Sequence, residues 1–123
     1  MTSGYFDNDN NEYVVKKYAT ERPWINYISN GRYCSLISQT GGGYSFWKDP
    51  KFNRITKYRY DNHPQDRPGK YLYIKDQDSG EFWANGWQPT MKNPQEWECR
   101  HGLGYSTISS KNIDHCRAGR YWC

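Results

Sequence analysis

The sequence predicts an all-β domain, an antiparallel β-sandwich with little helix. Twelve Tyr, 6 Trp and 4 Phe make up 18% of the 123 residues, and aromatic side chains favour strands and half-buried surfaces. Short runs of β-type residues recur at intervals of roughly ten residues, with turn-forming residues between them. No long stretch carries the i, i+3, i+4, i+7 apolar spacing of an amphipathic helix. Together these three observations favour a sandwich or barrel of short strands.

The aromatic residues also decide whether the chain folds. Ile, Leu, Val and Phe contribute only 7, 3, 2 and 4 residues, a proportion typical of disordered chains. Disordered segments, however, are poor in aromatic residues. We therefore expect one folded domain, since the length is too short for two, with a core built largely from rings.

The β-type runs have the length of strands and end at turn signals. Triglycine at 41–43, Asp49-Pro50, the proline-containing loop 61–69 and Asp78-Ser79-Gly80 each supply positive φ, a fixed φ or an Asx turn. The triglycine is interpreted as a hairpin turn and not as a phosphate loop, because no helix follows it. The predicted strands are 12–16, 33–38, 44–47, 54–60, 71–75, 81–83 and 105–109.

The run 54–60 is the clearest two-faced strand. Thr56, Tyr58 and Tyr60 alternate with a second set, Ile55, Lys57 and Arg59. Residues two apart lie on the same face of a strand. The long basic stems are then expected to cover the outer side of an antiparallel sheet.

Charge and cysteine usage exclude several classes of protein. The 17 Lys and Arg against 13 Asp and Glu give a net charge of +4, but the basic residues are scattered, so we expect no nucleic-acid partner. No apolar run is long enough to cross a membrane, and the first residues do not look like a secretory signal. The four cysteines show no disulfide framework, which favours a reducing, cytoplasmic location.

A series of motifs in fixed order resembles a known family. They are Gly4-Tyr5-Phe6-Asp7-Asn8, Glu12-Tyr13-Val14-Val15, Arg22-Pro23-Trp24-Ile25-Asn26-Tyr27-Ile28, Gly42-Gly43-Tyr44-Ser45-Phe46, Arg59-Tyr60-Asp61-Asn62, Pro68-Gly69-Lys70-Tyr71-Leu72-Tyr73-Ile74, Trp87-Gln88-Pro89 and Glu98-Cys99-Arg100-His101-Gly102-Leu103-Gly104-Tyr105. In this order they resemble the extreme N-terminus of the inverting disaccharide phosphorylases of glycoside hydrolase family 94, most of all the cellobiose phosphorylases. The resemblance runs from about residue 4 to about residue 108.

The resemblance implies both an architecture and a reaction. Family members begin with a large antiparallel β-sandwich, followed by a helical linker and an (α/α)6 barrel that holds the catalytic Asp and the phosphate site. They cleave a β-linked glucose disaccharide reversibly with inversion, giving α-glucose 1-phosphate and a sugar. The resemblance further implies that inorganic phosphate is the co-substrate, that no cofactor is required and that the whole enzyme is a homodimer. Residues 1–110 are then expected to be a partial sandwich, without the barrel and non-catalytic alone.

The last residues depart from the family pattern. Residues 111–123 show no alternation and contain Cys116 and Cys123. We interpret this segment as a divergent tail. One hypothesis for its origin is a frameshifted or prematurely ended reading frame.

Two clusters of reactive side chains were considered and neither is assigned a function. Glu96, Glu98 and Arg100 would share one strand face beside His101, which acid-base chemistry can use. A solvated strand edge with a charge pair is the favoured interpretation, so no catalytic residue is predicted. The metal-ligand types Cys99, His101, His115, Cys116 and Cys123 match no zinc spacing, so no metal is predicted.

Three tryptophans are candidate sugar-binding residues. Trp47, Trp83 and Trp87 can stack on sugar faces, as rings do in carbohydrate-binding modules. The alternative, a position in the core, is favoured for each of them. The corresponding alternative function is a free-standing carbohydrate-binding β-sandwich module. A nucleic-acid-binding β-domain is a weaker third possibility, and its binding would fall steeply with salt.

Overall fold

A computed structural model describes residues 3–56 and 69–112, together with the backbone of 115–122. The described residues contain ten strands and no helix. The strands are β1 (Gly4–Asp7), β2 (Glu12–Val15), β3 (Ile25–Ser29), β4 (Tyr33–Ser38), β5 (Ser45–Trp47), β6 (Tyr73–Lys75), β7 (Phe82–Ala84), β8 (Glu96–His101), β9 (Tyr105–Asn112) and β10 (His115–Trp122).

The described strands form three antiparallel sheets. A five-stranded sheet has the order β1-β2-β8-β9-β10, a three-stranded sheet the order β3-β4-β5, and a ribbon pairs β6 with β7. Every strand pair is antiparallel. The predicted all-β, antiparallel class with little helix is therefore confirmed.

The register of the five-stranded sheet divides its residues between two faces. Tyr13 lies opposite Phe6 on β1 and opposite His101 on β8. Because successive side chains of a strand point to opposite faces, Val15 and its neighbour Cys99 share the face of Tyr13. We call this the inner face, and the other, which carries Arg100, the outer face.

The core lies on the inner face. Val15, Cys99 and Ile108 have no exposed surface, and Trp97 completes the buried cluster. Tyr18 packs against this cluster and meets the Trp97 ring edge-on, with 5.9 Å between the ring centroids. The expected ring-based core is thus only half right, since small aliphatic side chains fill its centre and aromatic rings cover its border.

Two amides, Asn26 partly buried and Asn85 buried, join the smaller sheets to β9 and the turn before it. The Asn26 Nδ2, on β3, donates to the carbonyl oxygens of Gly102 and Tyr105 at 2.8 and 2.9 Å. The Asn85 Nδ2, directly after β7, donates to the Ile108 carbonyl at 3.1 Å. Such bonds satisfy backbone groups that burial would otherwise leave without water, so they fix how the sheets pack.

The triglycine forms the predicted turn between β4 and β5. Gly43 has a φ of 127°, and a Cβ there would lie 2.1 Å from the Leu36 carbonyl oxygen. Both the backbone conformation and the lack of space require glycine at this position.

Six of the seven predicted strands overlap observed ones, namely β2, β4, β5, β6, β7 and β9. Residues 57–60 of the predicted strand 54–60 lie outside the described residues, and Arg54 forms only an isolated bridge with Phe46. The sequence prediction omits β1, β3, β8 and β10. In particular, β10 lies within the divergent tail and pairs with β9 along its whole length. The reading-frame hypothesis for that segment stays a prediction.

Candidate functional site

A cleft of about 630 Å³ opens at one end of the inner face. Three chain segments form it: the turn between β1 and β2, the start of β3, and the turn between β8 and β9. Its lining residues are Phe6, Asp7, Asn8, Asn11, Glu12, Tyr13, Trp24, Ile25, Asn26, His101, Gly102 and Leu103. Its volume falls in the range of small-molecule binding sites.

Aromatic rings form one wall of the cleft. Trp24 and Tyr13 stack with 4.9 Å between their centroids and 9° between their planes, and Phe6 meets Tyr13 edge-on at 4.8 Å. Trp24 is 42% exposed, Phe6 75% and Leu103 91%. This apolar surface is therefore ordered by ring packing and still open to solvent.

A chain of hydrogen bonds holds the start of β3 against β8 and β9. The His101 Nε2 lies 3.1 Å from the Trp24 carbonyl oxygen, and its Nδ1 lies 2.8 Å from the Ser106 Oγ. Because a carbonyl only accepts, Nε2 carries the proton and Nδ1 accepts from the serine hydroxyl. The Asn26 Nδ2 donates to the same Ser106 Oγ at 3.2 Å. This pattern of donors and acceptors fits a neutral imidazole with its proton on Nε2.

Burial lowers the pKa of His101 below its usual value, against the opposing effect of the bond to the Trp24 carbonyl. The ring is therefore neutral at physiological pH, with both nitrogens engaged. Such a histidine positions backbone segments and has no nitrogen left for proton transfer to a ligand.

An ion network lies on the outer face, beneath the other side of the cleft. The Arg100 guanidinium donates to Glu98 at 2.6 Å, to Glu12 at 3.0 Å and to Asp7 at 3.1 Å. Glu12 is buried and also accepts from the Tyr105 hydroxyl at 2.6 Å. Lys16 donates to the second oxygen of Glu98. The network joins β1, β2, β8 and β9.

The pKa values follow from these contacts. The hydrogen bond to Glu98, with those to Glu12 and Asp7, raises the pKa of Arg100. Partial burial alone would raise the pKa of Glu98, but the bonds from Arg100 and Lys16 outweigh it and lower that pKa. Hydrogen bonds from Asn10 and Arg100 lower the pKa of Asp7. Both carboxylates are therefore held ionised, the opposite of what a general acid needs.

The interpretation of residues 96–101 as a solvated edge requires correction. β8 is the middle strand of the five-stranded sheet, and the charges are satisfied by strands on its β2 side. The predicted charge pair exists between Glu98 and Arg100. Glu96 is exposed and pairs only loosely with Lys111, at 3.5 Å.

The three tryptophans predicted to stack on sugars lie outside the cleft. Trp47 is on β5 and 41% exposed, whereas Trp83 on β7 is only 7% exposed and has little surface to offer a ligand. Trp87 is half-buried, with its ring centroid 5.4 Å from that of Tyr18. Sugar stacking at these residues stays a prediction.

Sequence reasoning missed the aromatic wall of Phe6, Tyr13 and Trp24. These residues come from β1, β2 and the start of β3, and nothing in their spacing distinguishes them from the other aromatic residues. The one available signal was the Asn-rich turn at 8–11, which makes β1 and β2 a hairpin and brings Phe6 opposite Tyr13.

The candidate metal ligands do not assemble in the part of the chain that the structure describes. The Cys99 Sγ lies 3.7–3.8 Å from the two ring nitrogens of His101, and no group of three His, Cys, Asp or Glu suited to a metal occurs among the described residues. The side chains of His115, Cys116 and Cys123 lie outside that part. Within it, no helix is long and apolar enough to cross a membrane.

Comparison with known proteins identifies relatives along most of the chain. An N,N'-diacetylchitobiose phosphorylase of Vibrio furnissii is 49% identical over 108 residues, 86% of this chain and 13% of that protein. One of Vibrio proteolyticus is 48% identical over 108 residues, with the same shares covered. A 3-O-beta-D-glucopyranosyl-beta-D-glucuronide phosphorylase of Paenibacillus borealis is 36% identical over 107 residues, 87% of this chain and 13% of that protein.

The chain thus spans about 13% of the length of these curated relatives and matches their N-terminal part. The sequence model of the glycosyl hydrolase 94 supersandwich domain matches residues 11–115. That match covers most of the described sheets, including the cleft residues from Asn11 to Leu103, but not β1. The chain therefore belongs to glycosyl hydrolase family 94, as part of its supersandwich domain.

Proposed function

We propose that this chain is the N-terminal supersandwich segment of a phosphorylase that cleaves a β-linked disaccharide with inorganic phosphate. The parent reaction would be reversible and invert the anomeric carbon, giving a sugar 1-phosphate and a free sugar. The observation that carries the proposal is the 49% identity over 108 residues to a disaccharide phosphorylase. The family match over residues 11–115 supports it.

Within such an enzyme, the segment would act as a scaffold. Direct attack by phosphate requires one carboxylic acid that protonates the leaving oxygen, and donors that hold the phosphate dianion. The guanidinium of Arg100 is the type of group that holds phosphate, but it is already bonded to Glu98, Glu12 and Asp7. Since the pKa values of Asp7 and Glu98 are lowered, the network supports sheet packing better than it supports proton transfer.

The relatives favour one disaccharide class for the first test. The resemblance from sequence motifs favoured cellobiose, whereas the two Vibrio relatives are named for N,N'-diacetylchitobiose and are more similar to this chain than the glucuronide phosphorylase. We therefore propose N,N'-diacetylchitobiose as the leading substrate of the parent enzyme, with cellobiose as the alternative. A homodimeric parent and a cytoplasmic location remain expectations from the resemblance and the cysteine usage.

Two assays test the proposal. The DNA that follows the Cys123 codon is sequenced, and the protein encoded with any downstream barrel region is incubated with phosphate and each disaccharide. We expect sugar 1-phosphate of inverted configuration, released faster from N,N'-diacetylchitobiose than from cellobiose. If that longer protein releases no sugar 1-phosphate from any β-linked disaccharide, the phosphorylase assignment is wrong.

The 123-residue chain is the matched control in the same assay. As a scaffold it should release no sugar 1-phosphate above a heat-inactivated sample. Turnover by the homogeneous, folded chain would contradict the scaffold role while leaving the family assignment in place.

A further inference from the structure

We propose that the cleft between the β1–β2 turn and the β8–β9 turn binds the apolar face of a neutral β-linked oligosaccharide. This site goes beyond the scaffold role proposed above, because it needs no reacting group. It also differs in place from the candidate sugar-stacking residues of the sequence analysis, Trp47, Trp83 and Trp87, since its platform is Trp24.

Exposure of the rings is the first argument. Phe6, Trp24 and Leu103 all line the cleft and are all exposed. Exposed apolar side chains that stand singly need no explanation, but a contiguous set around a concave surface marks a binding site. None of these three side chains belongs to the buried cluster of Val15, Trp97, Cys99 and Ile108.

The fixed position of Trp24 is the second argument. Its backbone N–H donates to the Gln39 Oε1 at 2.8 Å, and its carbonyl oxygen accepts from the His101 Nε2 at 3.1 Å. Gln39 is itself buried and donates to the Tyr18 carbonyl and the Thr20 hydroxyl. The indole ring rests flat on Tyr13. A platform held at its backbone and on one ring face loses little freedom on binding, which increases affinity.

The chemistry of the rim selects the occupant. The three hydrogen bonds of the Asn26 amide all use Nδ2, so its Oδ1 can accept from a ligand hydroxyl. The amides of Asn8 and Asn11 line the same rim. A β-linked pyranose has axial C–H groups on its faces and equatorial hydroxyls at its edge, so it matches an apolar platform with a rim of amides.

Charge favours a neutral ligand. The two carboxylates at the cleft, Asp7 and Glu12, are both bonded to Arg100. His101 is neutral, because burial lowers its pKa. None of the residues that line the cleft is a lysine or an arginine, and its two carboxylates share one guanidinium, so an uncharged oligosaccharide fits better than an anionic ligand.

The test is a binding titration of the 123-residue chain and of three variants, two in the cleft and one outside it. N-acetylated chitotetraose and cellotetraose are titrated separately, followed by calorimetry and by NMR line shifts. We expect saturable binding of at least one sugar, weakened at least tenfold by Trp24→Ala. Trp47→Ala removes a tryptophan of similar exposure outside the cleft and should leave binding unchanged. The two sugars distinguish a preference for acetamido groups from a preference for plain glucose.

Phe6→Ala is the second cleft variant. The Phe6 ring is exposed, so we expect the chain to stay folded without it. It should also weaken binding, while circular dichroism confirms that each variant is folded. The proposal is overturned by three results: no saturable binding by the folded chain up to about 10 mM sugar, loss of binding in Trp47→Ala and not in Trp24→Ala, or self-association of the chain that the cleft variants abolish. None of these results depends on phosphorolysis, so the proposed function is tested separately.

Discussion

The two ends of the inner face belong to the same sheet, but the side chains at one end are buried and those at the other are exposed. At the closed end, Trp97 and Ile108 are buried beneath Tyr18 and the segment after β7. At the open end, Phe6 and Trp24 remain exposed because only the start of β3 packs there. What covers each end, and not the aromatic character of the strands, decides which rings are core and which are surface. We therefore expect changes at the closed end to affect stability and changes at the open end to affect binding.

The largest effect should come from the centre of the closed end. Ile108→Ala should lower the free energy of unfolding by about 2–5 kcal/mol, because it removes a fully buried side chain and leaves a cavity. Ile25→Ala is the matched control at the open end, where the same deletion is made at an exposed position, and it should cost less than about 1 kcal/mol. Urea unfolding measures both. Equal losses in the two variants would remove the distinction between the ends.

The ion network of the outer face should have the next largest effect. Arg100→Met keeps an apolar stem but leaves buried Glu12 without its guanidinium, so we expect a loss of about 2 kcal/mol. Lys111→Met removes only the loose pair with exposed Glu96 and should change stability by less than about 0.5 kcal/mol. Urea unfolding at low ionic strength compares them. An Arg100 variant as stable as the Lys111 variant would show that the network is not structural.

Acid should weaken the fold in two stages. The pKa of His101 is lower in the folded chain than in the unfolded one, so below about pH 6.5 the unfolded state binds the proton first and stability falls. Asp7 and Glu98 have lowered pKa values, and their contribution is lost as the pH falls below about 4 and through their folded pKa values. Urea midpoints measured across this range should show both stages.

The variant His101→Gln separates the two stages. Glutamine can bond to the Trp24 carbonyl but does not titrate, so the first stage should shrink while the acid stage remains. A wild-type midpoint that is constant between about pH 7 and 5 would contradict the assignment of a neutral, buried His101.

The fold was more predictable than the site, for physical reasons that particular strands illustrate. β2 and β9 were predicted because each contains a short run of β-branched and aromatic residues. β8 was absent from the β-type runs, although Glu96, Glu98 and Arg100 were placed on one strand face, where they alternate with Trp97 and Cys99; its charged residues suggested a solvated strand edge and not the middle of a sheet. β10 has no such alternation, and its pairing with β9 depends on backbone hydrogen bonds that any sequence can make.

The cleft depends on register and not on any local pattern. Tyr13, on β2, and Trp24, directly before β3, are eleven positions apart and become neighbours only when His101 and Asn26 fix the two sheets to one another. A sequence rich in tryptophan therefore suggested several stacking residues equally well. Only the packing distinguishes Trp24 from the buried Trp83.

The most direct test of this account compares two tryptophans of the same inner region, Trp97 at the closed end and Trp24 at the open end. The free energy of unfolding of Trp97→Ala and Trp24→Ala is measured in urea at neutral pH. We predict a loss of about 3–5 kcal/mol for Trp97 and of about 1 kcal/mol or less for Trp24, which would lose mainly its contact with Tyr13. Equal losses, or a greater loss for Trp24, would show that the open end is core and contradict its assignment as a binding surface.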